Sequence, residues 1–288
     1  MNNVLIIGAG YVGSQLFSLA DKAKATYFLH SRKTLDYTDQ SALRKFLLNY
    51  NITHVVNCSG FTGRPNVDEG ELKKKECWNL NVITPLAVSN TCKSLGINFI
   101  HISSGCIYSG YDKEFIEEDE PNFGLFNESS FYSKTKHAFE TINDYGCTIR
   151  VRMPFSNSLH ERSYITKILL YDNLINYKNS KTYIFDLCNF IEYIVINNIS
   201  ANDIGIINFV NPEAKDTEYI VDRMKFFELV NKNWKFVDIK DINIKAPRSN
   251  CVLKNAKLER LFPDFYIRSE SEALNEALTK IKNDLLFP

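Results

Sequence analysis

The segment Tyr132-Ser-Lys-Thr-Lys136 holds a phenol and an amine four residues apart. On a helix that spacing sets both side chains on one face. A neighbouring ammonium lowers the pKa of a phenol, so Tyr132 is expected to hand a proton to a carbonyl oxygen near neutral pH, with Lys136 as its partner. The third group such a site needs is a hydroxyl at the end of the preceding strand. Ile102-Ser103-Ser104 supplies it, with Ser104 as the candidate.

Carbonyl reduction also needs a hydride carrier, and Gly8-Ala-Gly10-Tyr-Val-Gly13 has the glycine spacing of a loop that holds a dinucleotide. Gly8 permits the tight turn, Gly10 the close approach of a pyrophosphate, and Gly13 the packing of helix on strand. Tyr11 and Val12 complete that loop, and the helix it opens offers free N–H groups to phosphate. The next strand ends at His30-Ser31-Arg32-Lys33 with no carboxylate for a ribose 2′-OH. A hydroxyl and two cations suit a 2′-phosphate, since Arg grips phosphate in a fork. NADPH is therefore the expected cofactor, with NADH left open.

These groups have to be positioned by a regular scaffold, and the chain reads as one. Apolar runs at residues 4–7, 26–29, 54–57, 98–102 and 148–152 read as strands. Helical spacing follows Gly8 and recurs at 41–48, 71–95 and 131–144. Gly96 and Gly146 are natural helix stops. The alternation predicts an α/β fold, a Rossmann-type doubly wound parallel sheet, over residues 1–154. A smaller C-terminal substrate-binding lobe is expected over 155–288, with a return to the sheet near 183–210. In that half, helices are predicted at 165–170, 185–197 and 217–230, and short strands at 205–210 and 235–239.

Bulk properties exclude several classes. Lys+Arg and Asp+Glu both count 34 in 288 residues, so no basic excess marks a nucleic-acid binder. No apolar run is long enough to span a bilayer, and the first residues lack the charged and apolar regions of a signal peptide. Seven cysteines are scattered singly and five histidines show no metal spacing. The expectation is a cytoplasmic protein with reduced thiols, no metal, and no membrane or nucleic-acid partner.

Taken together, the glycine loop, Ser104, Tyr132 and Lys136 resemble the extended short-chain dehydrogenase/reductases, and within them the dTDP-4-dehydrorhamnose reductases. Leu35-Asp36-Tyr37-Thr-Asp39 resembles a segment that contacts the adenine side in that family. Val56-Asn57-Cys58-Ser59-Gly60 is similar to the run beneath the cofactor, and Asn81 matches a frequent asparagine of the following helix. Ala246-Pro-Arg248-Ser-Asn250 resembles a substrate-lobe segment. The closest likeness is to the plant-type bifunctional 3,5-epimerase/4-reductases that complete UDP-L-rhamnose. It rests on Thr62-Gly-Arg64-Pro-Asn66-Val-Asp68, Gly105-Cys106-Ile107, Arg150-Val-Arg152-Met-Pro154 and Ile165-Thr-Lys167.

The resemblance implies an NADPH-dependent enzyme converting UDP-4-keto-6-deoxy-D-glucose to UDP-L-rhamnose, supplied by an upstream 4,6-dehydratase. A homodimer is left open. It assigns Cys106 and Lys167 to proton transfer at C3 and C5, a thiol and an amine being able to exchange protons when their surroundings shift them. Thr62, Arg64, Asn66, Arg152 and Arg248 are substrate-binding candidates; the arginines, as bidentate groups, suit the UDP diphosphate or the cofactor phosphate, and the resemblance favours Arg248 for the diphosphate. His160 is a reserve candidate for proton transfer. Three alternatives remain: a 4-reductase without epimerase activity, a GDP-fucose-synthase-like enzyme, and a non-catalytic NADP-binding regulatory subunit.

Overall fold

The computed structural model describes residues 1–286; residues 287 and 288, the end of the predicted lobe, lie outside the described residues. Its strands are β1 (Asn2–Ile7), β2 (Ala25–His30), β3 (His54–Asn57), β4 (Asn98–Ser104), β5 (Gly110–Phe115), β6 (Cys147–Val151), β7 (Asn173–Leu174), β8 (Ile206–Asn208), β9 (Lys235–Phe236) and β10 (Cys251–Leu253). The helices are α1 (Tyr11–Leu19), α2 (Gln40–Asn49), α3 (Asp68–Leu72), α4 (Lys74–Trp78), α5 (Thr84–Leu95), α6 (Phe131–Ile142), α7 (Tyr164–Leu170), α8 (Ile184–Ile196), α9 (Ala201–Ile204), α10 (Thr217–Phe226), α11 (Ala256–Leu261) and α12 (Glu270–Leu286).

Six strands form one parallel sheet in the order β2-β1-β3-β4-β6-β8. Parallel strands need helical crossovers, which cover both faces, so their sequences read as continuous apolar runs. β1 shows this directly. Val4 and Ile6 pack with Leu16 of α1 and Leu187, Ile191 and Ile194 of α8. Leu5 and Ile7 face the other way, onto Leu43, Leu47, Val88 and Phe139 of α2, α5 and α6. The chain leaves β1 toward β2 on one side and returns to β3 on the other. That reversal opens a crevice at the carboxyl ends of the strands, where ligands of such sheets bind.

Residues 155–183 and 217–281 build a second apolar core from Phe155, Ile165, Ile168, Leu174, Ile220, Met224, Leu274 and Leu278. Between these segments α8 and β8 rejoin the main sheet, with Ile207 paired to Ile149.

Two differences from the sequence reading bear on the site. The single helix predicted over 71–95 is broken into α3, α4, a π-helical turn at Asn79–Ile83, and α5. Pro85 at the start of α5 accounts for the π turn, having no N–H to give to the carbonyl four residues back, at position 81. The break between α3 and α4 falls at Lys73, which leaves helical geometry. The second difference is β5. Its residues Tyr111 to Glu114 are exposed and polar, so no alternation marked it. Its parallel pairing with β10 runs Cys251 to Gly110 and Leu253 to Phe115, and it draws the 246–253 segment against the end of β4.

Candidate active site

The glycine loop leaves β1 at the crevice. Gly8 has φ +95°, and a Cβ there would stand 2.6 Å from the backbone nitrogen of Ser59. A Cβ on Gly13 would overlap the carbonyl oxygen of Gly8, whereas one on Gly10 would meet nothing within 4 Å. The turn is therefore closed where backbone packs on backbone and open where a pyrophosphate would approach. Gly10 caps α1 without any side-chain hydrogen bond, which leaves the first helical N–H groups for phosphate. The cradle fits a dinucleotide. Gly13→Ala is expected to weaken NADPH binding by at least about tenfold, since the turn must open to admit a methyl group. Fluorescence titration checks this, with unchanged affinity as the contrary result.

Around the cradle, Ser31 turns the chain after β2, its carbonyl accepting from the Thr34 and Leu35 N–H groups, while Arg32 and Lys33 stay exposed. Asp36 is exposed and its carboxylate accepts from the Thr38 N–H and hydroxyl, which hold it below the usual range. Tyr37 is buried, and burial pushes its phenol up against an opposing hydrogen bond from Ser59. Ser59 is pinned by Asn57, whose Oδ1 accepts from both its N–H and hydroxyl. Val12 packs on the core, and Cys58 lies under Gly13 with its thiol pushed far up by burial.

Ser104 ends β4, and Tyr132 and Lys136 stand on the first turns of α6, which Ser130 caps through its hydroxyl. All three are buried. The Lys136 ammonium lies 5.8 Å from the centre of the Tyr132 ring and 3.6 Å from where a Cβ of Gly60 would be. Burial pulls Lys136 down to about 8, opposed chiefly by Glu140 one turn further along α6. The expected acidification of Tyr132 is not found. Burial pushes its phenol well above the usual range, the neighbouring Cys106 adds to this, and the Ser104 hydroxyl opposes it. Desolvation outweighs the lowering influence of Ser104 and Arg152. A neutral phenol is nonetheless the form that donates a proton.

Asn81, a cofactor-contact candidate, acts here as an internal brace. Its Oδ1 accepts from the Phe61 N–H at 2.7 Å, and its Nδ2 donates to the Phe61 carbonyl and the Thr135 hydroxyl, each at 3.0 Å. It sits in the π turn and ties the loop after β3 to α6. Glu140 was missed by the sequence reading, although its spacing of four from Lys136 marks the same helix face. It accepts from Ser103 at 2.8 Å and pairs with Arg150 at 2.8 Å.

Cys106 follows β4, its N–H donating to Ser104 Oγ at 3.2 Å. Arg152, a phosphate candidate, is engaged inside the protein. It is 1% exposed, and both Nη atoms are taken up by Gly105, Cys106, Asn179 and Ser249. Lys167 on α7 is pulled down from the usual lysine value, first by burial and then by Arg162 and Arg248. Arg162, for which no sequence signal existed, donates to the Gly63 carbonyl at 2.6 Å and to Thr62 Oγ1 at 3.3 Å. Arg248 is already paired through Nη1 to Asp68 at 2.7 Å and to the Ala246 carbonyl. Residues 246–250 thus reach Lys167 through Arg248 and the Cys106 side through Ser249.

Arg64 is exposed, 3.7 Å from Glu161, and Asn66 Oδ1 accepts from the Asp68 N–H. His160 stacks on Tyr11 at 4.6 Å between centroids, and the Tyr11 hydroxyl donates to Ser156. Tyr11 therefore joins the glycine loop to the chain after β6. Among the described residues no metal-ligating cluster is found.

The chain is 35% identical over 283 residues to a trifunctional UDP-glucose 4,6-dehydratase/UDP-4-keto-6-deoxy-D-glucose 3,5-epimerase/UDP-4-keto-L-rhamnose-reductase of Arabidopsis thaliana, covering 93% of this chain and 40% of that protein. It is 34% identical to a bifunctional dTDP-4-dehydrorhamnose 3,5-epimerase/dTDP-4-dehydrorhamnose reductase of the same plant, over 93% of this chain and 90% of the relative. The crystal structure of the L780 UDP-rhamnose synthase from Acanthamoeba polyphaga mimivirus superposes with a TM-score of 0.81 at 24% identity, covering 97% of this chain and 99% of the other. Residues 1–169 match the family model described as the RmlD substrate binding domain, and it is to the RmlD family that this chain belongs.

Proposed function

We propose that the protein is a bifunctional 3,5-epimerase/4-reductase that converts UDP-4-keto-6-deoxy-D-glucose to UDP-L-rhamnose with NADPH. The observation that carries this is the convergence of Ser104, Tyr132, Lys136 and Cys106 at the end of β4 and the start of α6, beside the glycine cradle. NADPH supplies hydride to C4 when bound. Tyr132 and Ser104 hold O4, and Tyr132 gives it a proton as the alcohol forms. The protons at C3 and C5 are acidic because both carbons flank the same carbonyl. Holding O4 therefore also stabilises the enolate that inversion requires, and one pocket serves both reactions. Cys106 and Lys167 exchange those protons. The substrate must arrive oxidised at C4 and deoxygenated at C6, so a 4,6-dehydratase precedes this step.

Among the described residues no helix is long and apolar enough to cross a membrane, and all seven cysteines are unpaired. Free thiols support a reducing, cytoplasmic setting.

The test is NADPH consumption by purified protein given UDP-4-keto-6-deoxy-D-glucose and no other enzyme. Loss of NADPH absorbance is expected. Consumption only with the pre-epimerised 4-keto-L-rhamnose nucleotide would leave a 4-reductase, and none with either a non-catalytic NADP binder. Parallel reactions with dTDP sugars decide the nucleotide.

The pH dependence follows from Lys136. Burial weakens its hold on a proton, so the ammonium beside Tyr132 is present below about 8 and lost above it. Reduction is expected to fall with an alkaline midpoint near about 8, well below a free lysine at about 10.4. A flat rate through that range contradicts the assignment.

A further inference from the structure

Arg152, just after β6, is 1% exposed. Its Nη1 donates to the Gly105 carbonyl at 3.2 Å, Ser249 Oγ at 2.8 Å and Cys106 Sγ at 3.6 Å. Its Nη2 donates to Asn179 Oδ1 at 2.6 Å and the Ser249 carbonyl at 3.2 Å. The Nε is buried with no partner. Two other buried cations are matched by a carboxylate, Arg150 by Glu140 and Lys181 by Glu270, each at 2.8 Å, whereas Lys136, whose burial weakens its hold on its proton, has no such pair among the described residues. Among the described residues no carboxylate stands within 4.0 Å of Arg152.

A guanidinium cannot shed its charge, and a buried charge without a counter-ion is strongly unfavourable. Of the groups hydrogen-bonded to Arg152, only the Cys106 thiol can carry a negative charge, while the Cys251 thiol and the Tyr111 and Tyr132 phenols act on it through space. Cys106 is also partly exposed, so it can reach a ligand that Arg152 cannot.

We propose that Arg152 is a positioning residue that pairs with Cys106 as the thiolate and so makes its sulfur the base of the epimerisation. This rests on the reading of Cys106 as half of the proton-transfer pair. The sulfur lone pair forms an S–H bond as a sugar C–H bond breaks, and the electrons of that bond pass to O4, held by Tyr132 and Ser104. The Lys167 ammonium then returns a proton to the carbon from the opposite face as the carbonyl reforms. Cys106 loses its new proton to water and Lys167 takes one up, restoring the pair.

The experiment is alkylation of the full-length protein with iodoacetamide across a pH series, with labelling at Cys106 read by mass spectrometry. In Arg152→Gln the midpoint of the Cys106 profile is expected to move at least about one unit to higher pH, about tenfold slower labelling on the rising limb. Arg152→Lys, which keeps the charge, is expected to restore most of the shift. An arginine with a purely structural role would leave the profile in place, and superimposed profiles overturn the proposal. Should Arg152→Gln not fold, Cys106→Asp and Cys106→Asn serve instead. The Asp variant is expected to melt higher at neutral pH and to lose that advantage as pH falls through the carboxylate range. Equal melting at both pH values overturns the pairing. If wild-type protein shows no solvent exchange at C3 and C5 while the profiles still separate, the epimerase reading fails and the pairing stands.

Discussion

Tyr132→Phe is expected to slow NADPH-linked reduction by about 10²–10⁴-fold, the usual contribution of a positioned general acid, with NADPH affinity nearly unchanged. The substitution removes only an oxygen. The ring keeps its place on α6, where the backbone and Cβ of Tyr132 lie 3.8–3.9 Å from where a Cβ on Gly70 would be. Burial keeps the phenol neutral, so its proton is available to O4 until the alcohol forms. Ser104 can still hydrogen-bond the oxygen, which accounts for the residual rate. Single-turnover NADPH oxidation together with a binding titration separates the two effects. Turnover above about a tenth of wild type would remove Tyr132 from the chemistry.

Cys106→Ser and Lys167→Ala are each expected to abolish deuterium uptake from solvent at C3 and C5. Reduction of an already epimerised ketosugar, which moves no proton at those carbons, should continue. Lys167 is suited to this task because burial, Arg162 and Arg248 make its ammonium a readier proton donor than a free lysine. A serine hydroxyl in place of the thiol is far too weak an acid to be the resting anion. Uptake in both variants at the wild-type rate would rule the pair out. Loss of reduction together with exchange would mean that the variants had damaged the pocket rather than removed a proton carrier.

Much of this was legible in the residues because it depends on local rules. The apolar runs of β1, β3 and β4 reveal a sheet covered on both faces. The spacing of Gly8, Gly10 and Gly13 marks a turn that backbone contacts then explain one by one. What was not legible depends on long-range partners. The brace from Asn81 to Phe61 and Thr135 spans 20 and 54 residues, and Pro85 was the one local sign that the helix there would change pitch. β5 carried no alternation because β10, 136 residues or more away, supplies backbone pairing and leaves Tyr111 to Glu114 in solvent, with only Phe115 packed on Cys251 and Leu253. The arginines show the same limit. Residue type made Arg152 a phosphate candidate, while its burial among Gly105, Asn179 and Ser249 is a property of the fold.

The most direct measurement is proton NMR of the product formed from UDP-4-keto-6-deoxy-D-glucose and NADPH by the purified protein in deuterated water. The expected product is UDP-L-rhamnose deuterated at C3 and C5, with hydrogen from the cofactor at C4. A product reduced at C4 but keeping the original C3 and C5 configurations and protons would contradict the shared pocket, as would no product at all.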